Sequence, residues 1–261
     1  MKLSERLRTV EAVIISHKDF SEADRLVILF SLESGKIRAL AKGVRKIRSR
    51  KAAYLEPFMH SKVVLARGKT FWIVTQADAI HNNLAIRDSL IKTAQAAYVM
   101  ELTDRFSIEE EPDPAVFRLL VNTLNRIDED KDAYNALRFF ELRLLDRAGF
   151  RPDLTDCVGC GKKITAQDQY FSMMQGGVLC PACGKLHNHA RKVSVNALRF
   201  IRYFQRSVFS DIVDVSVPSA VQAEISALMN SYISSIMERK LNVPDFLKQV
   251  NRMAADDRHV K

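Results

Sequence analysis

Lys36-Ile37-Arg38-Ala39-Leu40-Ala41-Lys42, entered through a turn at Ser34-Gly35, alternates polar and apolar side chains at period two. That period sends the two kinds of side chain to opposite faces of a β-strand. Working outward, Thr9–His17 is rich in β-formers, and Arg25–Ser31 is a short apolar run. On the other side, Phe58–Ala66 and Lys69–Ala77 flank Arg67-Gly68, a hairpin signal. Five short strands result, interrupted once between the third and the fourth. That pattern predicts a small OB-type β-barrel over residues 1–80, although period alone does not separate it from an SH3-like barrel.

Beyond about residue 82 the period becomes helical. Ile91, Ala94, Tyr98, Leu102 and Phe106 share one helix face. Asp113 with Pro114 opens a second helix, and Asp130 or Asp132 a third, which Gly149 ends in a left-handed cap. Ser194 caps a helix running to about Arg206, Pro218 opens a long one, and Pro244 starts a last piece. The fold class expected is therefore α+β: an N-terminal OB-type β-barrel, then a helical bundle domain. The helical domain is expected over residues 81–152 and 191–253, with an insertion at 153–190 and a polar tail at 254–261.

The insertion contains all four cysteines of the chain, as Cys157-x2-Cys160 and, nineteen residues later, Cys180-x2-Cys183. Paired CxxC spacings of this kind mark a metal site. Four thiolates satisfy the charge and tetrahedral geometry of one Zn²⁺ and leave no open position, so the ion expected is structural rather than catalytic. Such an ion supplies roughly 10 kcal/mol or more of apparent binding energy. Glycines at 159, 161, 176, 177 and 184 let the backbone turn close to it. His187 and His189 lie downstream as substitute ligands, and a disulfide is the weaker reading for a cytosolic chain.

Charge is distributed unevenly. The 261-residue chain carries a net +9, of which +8 falls within residues 1–80. A basic domain on a nearly neutral body suits a polyanion-binding face. Lys42, Arg45, Lys46, Arg48, Arg50 and Lys51 place six cations in ten residues with no acid among them, in the gap between the third and fourth strands. Strand three adds Lys36 and Arg38. Cations in such a row neutralise successive phosphates without reading sequence. Phe20, Tyr54, Phe71 and Trp72 are candidate base-stacking platforms, although each taken singly also reads as a core residue.

A hydrophobic content of 47% is enough to build cores, and no apolar run reaches membrane-spanning length. The absence of a signal-peptide pattern points to the cytoplasm. No GxxxxGK[ST], HExxH or GxSxG motif occurs. Glu109-Glu110-Glu111 reads as a solvated helix end. The chain is thus expected to be a binding protein and not an enzyme.

The segment Leu40-Ala-Lys-Gly-Val-Arg-Lys-Ile-Arg-Ser-Arg50 followed by Leu55-Glu-Pro-Phe58 resembles the bacterial recombination mediator family RecO. Phe139-Phe-Glu-Leu-Arg-Leu-Leu-Asp-Arg-Ala-Gly-Phe150 is similar too, as are Pro152 and the two cysteine pairs of the zinc-bearing members. The likeness spans nearly the whole chain and is weakest after about residue 210. It implies an OB domain, a helical domain and an embedded zinc module, which some members lack. It also implies binding of single- and double-stranded DNA, annealing of complementary strands, and cytoplasmic action at the nucleoid. The implied partners are the C-terminal tail of the single-stranded-DNA-binding protein SSB, RecR and, indirectly, RecA. Carried over by region, the DNA contacts are Lys36, Arg38, Lys42, Arg45, Lys46, Arg48, Arg50 and Lys51. Arg138 and Arg143 are the residues expected at the SSB-tail pocket. Rival readings are an RNA- or ribosome-associated OB/zinc-ribbon protein, an adaptor working through its helices, and a zinc enzyme with an open coordination position.

Overall fold

The computed structural model describes residues 7–129 and 133–237. The expected helix start at Asp130 or Asp132, the piece opening at Pro244 and the tail at 254–261 lie outside them. Five strands come first: β1 (Leu7–Asp19), β2 (Arg25–Ser31), β3 (Gly35–Ala41), β4 (His60–Arg67) and β5 (Trp72–His81). They close into a barrel in the order β1-β2-β3-β5-β4.

Closure depends on the length of β1. Its first half pairs with β4 from Leu7 to Val13, and its second half pairs with β2 from Ala12 to Asp19. A register shift between Ile14 and Ser16 bends the strand so that one element serves both partners. The seam is the parallel β3–β5 edge, where only Ala39–Trp72 and Leu40–Ile73 pair. Inward residues fill the barrel in the alternation that the sequence predicts: Val10, Ala12 and Ile14 from β1, Ile37, Ala39 and Ala41 from β3, Val63 and Leu65 from β4. The interruption between β3 and β4 is a loop with one 3-10 turn, Ala53–Leu55.

The β4–β5 connection differs from the predicted Arg67-Gly68 turn. β5 begins at Trp72, so four residues, 68–71, make a wider loop. Gly68 permits it, because a Cβ there would overlap the carbonyl oxygen of Phe71.

The chain divides into two compact units, one reaching Ala133 and the other starting at Tyr134. The first unit adds α1 (Leu84–Arg87), α2 (Leu90–Phe106) and α3 (Pro114–Glu129) to the barrel. Asp113 caps α3, its Oδ1 accepting from the backbone N–H of Ala115 at 3.0 Å and Val116 at 3.1 Å. Phe117 of α3 packs against Phe30 and His60 of the barrel wall, with ring centroids 6.3 and 5.9 Å away.

The second unit holds α4 (Tyr134–Arg147), β6 (Gln169–Ser172), β7 (Gly177–Leu179), α5 (Pro181–Gly184), β8 (Arg191–Val193), α6 (Val195–Arg206), α7 (Phe209–Ile212) and α8 (Ser219–Ile236). Gly149 takes φ +80° just beyond α4, as its left-handed cap requires. Ser194 caps α6, with Oγ accepting from the Ala197 N–H at 3.1 Å. The three short strands form a sheet in the order β7-β6-β8. Tyr232 of α8 braces that sheet, its ring 5.3 Å from Phe171 and its hydroxyl donating to the Phe150 carbonyl at 3.0 Å. No helix of the described residues is long and apolar enough to cross a membrane.

Candidate nucleic-acid interface and metal centre

The basic ribbon leaves β3 through Gly43, which has φ +64° and donates its N–H to Asp24 Oδ1 at 2.7 Å. Val44 then turns into the barrel core. Arg45 fastens the ribbon to the β1–β2 loop, donating to the Ser21 carbonyl at 3.1 Å and pairing with Asp19 at 3.4 Å. At the far end, Lys51 donates to the Val74 carbonyl at 2.7 Å. Burial lowers the Lys51 pKa, with partial opposition from Asp24. Lys42 ahead of these anchors, and Lys46, Arg48 and Arg50 between them, are exposed and pair with no acid among the described residues.

The eight predicted DNA-contacting cations therefore separate by environment. Lys42, Lys46, Arg48 and Arg50 are available, Arg45 shares Asp19, and Lys51 is an anchor. Lys36 and Arg38 are occupied: Lys36 Nζ lies 3.3 Å from the Asp104 carboxylate, and Arg38 pairs with Glu109. The sequence shows that β3 carries cations on one face but not which acids the fold brings over them.

The aromatic candidates separate in the same way. Trp72 is buried, with Nε1 donating to Glu110 Oε1 at 2.9 Å. The guanidinium carbons of Arg8 and Arg67 stand 4.8 and 5.7 Å from its ring, so its faces are taken rather than open to a base. Tyr54 is half-buried against the barrel core. Phe20, by contrast, is 54% exposed in the β1–β2 loop, edge-on to Phe71 of the β4–β5 loop at 6.0 Å.

These two rings line an open groove of about 1000 Å³ together with Lys42, Arg67, Lys69 and Ile73. OB barrels take oligonucleotide and oligosaccharide ligands between these same two loops. Arg67 and Lys69 line the groove without being among the expected contacts, although two cations flanking a glycine at a hairpin are a signal in the sequence.

In the second unit the four sulfurs of Cys157, Cys160, Cys180 and Cys183 all lie within 4.8 Å of one another. Cys160 Sγ and Cys180 Sγ are 3.9 Å apart, close to the roughly 3.8 Å edge of a tetrahedron with Zn–S bonds of about 2.3 Å. Each pair sits in a tight turn. Gly161, at φ +72°, returns its N–H to the Cys157 carbonyl at 2.8 Å, and the Gly184 N–H does the same for Cys180 at 2.8 Å.

Burial pushes the Cys157 thiol up, but backbone N–H groups of Cys180, Gly159 and Cys160 outweigh it and hold the thiol at about 6. Cys183 is pushed up to about 12, first by hydrogen bonding with Cys180 and Cys160. One thiolate is thus favoured and its neighbour opposed, the expected conflict of four sulfurs meant to share a cation. The donor set fits one tetrahedral metal ion such as zinc. His187 and His189 are exposed and outside this cluster.

The two arginines guessed for a peptide pocket have structural work instead. Arg138 is buried and pairs with buried Glu141 at 2.7 Å. Arg143 donates to the carbonyls of Gln205, at 2.9 Å, and Ser207, and so covers the C-terminal end of α6. Burial lowers its pKa. Both sit on the helix the sequence assigns them, but facing the interior. A hollow of about 340 Å³ lies elsewhere in this unit, lined by Val195, Leu198, Arg199, Arg202, Tyr203 and Arg206 among others.

An OB-type barrel joined to helices and a four-cysteine module defines a modular protein of the OB class. Residues 5–83 match the family model Recombination protein O N terminal, and residues 87–244 match Recombination protein O C terminal. The chain belongs to the RecO family. It is 35% identical over 241 residues to the DNA repair protein RecO of Dehalococcoides mccartyi, covering 92% of this chain and 95% of that protein. It is 34% identical over 251 residues to the DNA repair protein RecO of a Roseiflexus species, covering 96% and 88%. Its identity to the protein of the same name from Desulforamulus reducens is 32% over 245 residues, covering 94% and 95%.

Proposed function

We propose that this chain is a DNA-binding recombination mediator in DNA repair, acting by contact and not as an enzyme. The observation that carries the reading is the groove between the β1–β2 and β4–β5 loops. There Phe20 and Phe71 lie beside Lys42, Arg67 and Lys69. Aromatic rings next to cations suit a single strand, whose bases stack while its phosphates are neutralised. Lys42 leads from the groove into the ribbon, where Lys46, Arg48 and Arg50 extend the positive track.

Annealing needs little more. Two polyanionic strands repel each other, and a basic surface lowers that repulsion and raises their local concentration. Contacts blind to sequence let the strands slide into register, and base pairing supplies the driving energy.

In the same reading SSB delivers coated strands through its tail, and RecR joins in loading RecA. A tail that is acidic and apolar needs cations beside an apolar hollow. Arg199 and Arg206 around Leu198 and Tyr203 meet that need, with Arg202 held to the Leu154 carbonyl at 2.7 Å, and support docking there rather than at Arg138 and Arg143. The cysteine module would hold one structural Zn²⁺ and brace the second unit, which places residues 153–190 as a module among the helices.

The test is annealing of complementary oligonucleotides coated with SSB, without ATP. Faster annealing with the protein supports the reading, and no acceleration at any protein concentration removes it. Competition between single-stranded DNA and RNA of equal length separates DNA repair from the RNA-associated alternative.

A further inference from the structure

We propose that Glu109 is a specificity determinant of the barrel face, the acid of an internal strap that withholds Arg38 from nucleic-acid phosphates. The proposal rests on the DNA-binding reading and extends it to which part of the basic face a strand reaches. α2 ends at Phe106, and the chain then crosses the seam between β3 and β5 before α3 begins at Pro114. On the way it bridges to β3 at Lys36, whose carbonyl accepts the Glu110 N–H at 2.9 Å. Glu109 pairs with Arg38, Asp104 with Lys36, and Glu110 takes the indole N–H of Trp72. The Glu109 carboxylate thus lies where a phosphate of a bound strand would otherwise meet Arg38, while Lys36 is also tied to the Asp104 backbone carbonyl at 2.6 Å.

The strap is close-fitting but lightly held. Gly35 admits it, since a Cβ there would overlap the Glu111 carbonyl. Glu110 adopts φ +57°, a left-handed conformation that non-glycine residues enter at a cost. Ile108, the apolar residue of the segment, is 66% exposed, so the crossing is not anchored by burial of that side chain. Ion pairs at a surface are worth little and weaken with salt, which leaves them open to exchange for another polyanion.

Exchange would enlarge the site. Lys36, Arg38, Glu109 and Glu110 wall a recess of about 420 Å³ that shares Arg67, Lys69 and Phe71 with the Phe20 groove. With the strap in place a strand meets the groove and ribbon. With the strap displaced it also gains Arg38 on β3.

The experiment is titration of the full chain with a single-stranded oligonucleotide across a salt series, comparing wild type with Glu109→Gln and Asp104→Asn. Glu109→Gln removes the acid from Arg38 without changing side-chain shape, whereas Asp104→Asn leaves Lys36 held by the Asp104 backbone carbonyl at 2.6 Å and serves as the control. With Glu109→Gln the slope of log affinity against log salt should steepen by about 0.7, roughly fivefold more response per tenfold change in salt, and with Asp104→Asn it should keep the wild-type value. Affinity at low salt should rise. Trp72 is the single tryptophan of the chain, so oligonucleotide addition to wild type should shift its emission as Glu110 leaves the indole. A wild-type slope in Glu109→Gln would overturn the proposal and leave the acids as a structural closure of the seam. A wild type without salt-dependent binding would instead remove the DNA-binding reading beneath it.

Discussion

Lys51 turns its ammonium away from solvent and donates it to the backbone carbonyl of Val74 at 2.7 Å. Its neighbours in the ribbon, Arg48 and Arg50, point into solvent without acid partners among the described residues. The same charge at adjacent positions therefore does different work. Lys51→Met should lower barrel stability by about 1.5–3 kcal/mol, the scale of a charged hydrogen bond, read as a lower denaturant midpoint. It should leave the salt slope of DNA binding in place. Arg48→Ala with Arg50→Ala should do the reverse, keeping the midpoint and lowering the slope by about 0.7–0.9 per residue.

Phe20 and Phe71 face each other across the groove at 6.0 Å. Phe20→Ala should weaken single-strand binding by about 1–3 kcal/mol, the worth of one base–aromatic stack. Duplex binding, in which the bases are already stacked, should change much less. Equal losses for both forms, measured by fluorescence anisotropy, would place Phe20 outside the base-contacting surface.

Removal of metal should unfold one module and spare the other. A strong chelator is expected to strip hydrogen-exchange protection from β6, β7 and β8 while the barrel amides keep theirs. Gly159 supplies a finer probe. A Cβ there would meet Leu179 Cδ2 at 3.0 Å and Cys183 Sγ at 3.3 Å. Gly159→Ala should therefore push the fourth ligand out of place and weaken zinc binding by an order of magnitude or more, measured by competition with a chromophoric chelator.

His60 is buried in the barrel wall with Nε2 2.8 Å from Glu11 Oε1. Burial lowers its pKa below the ordinary 6.5, with Glu11 opposing in part. As pH falls, the unfolded chain takes up the proton first, so stability rises with pH across the window between the folded value and 6.5. The contribution of the neutral ring is complete above 6.5 and is lost progressively on acidification below it. His60→Gln should flatten this part of the melting-temperature profile between pH 7 and pH 5, and an unchanged profile would assign it to other groups.

Much of the architecture was legible because its causes are local. Period-two alternation over residues 36–42 sets a strand whatever it packs against. Asp113 and Ser194 cap their helices with their own side chains, and Gly149 is left-handed where the pattern ends. Two CxxC pairs need only short turns to bring four sulfurs within 4.8 Å. The division of contacts between Ala133 and Tyr134 was not legible. Helical periodicity reports an apolar stripe without naming the surface that covers it, and nothing in α3 says that Phe117 meets the barrel.

The functional face divides along the same line. By itself the sequence determined that the N-terminal strands form a basic barrel, that a run of cations follows β3, and that four cysteines can hold one metal ion. Each follows from residue type and spacing along the chain. Only the tertiary structure decided which charges are free: Lys46, Arg48 and Arg50 stand in solvent, while Lys36, Arg38, Arg138 and Arg143 meet oxygens of Asp104, Glu109, Glu141 and the end of α6. The reason is electrostatic. A charge is available to a ligand only if the fold has not already neutralised it, and the neutralising group can be brought from up to seventy-one positions away, as Glu109 is to Arg38.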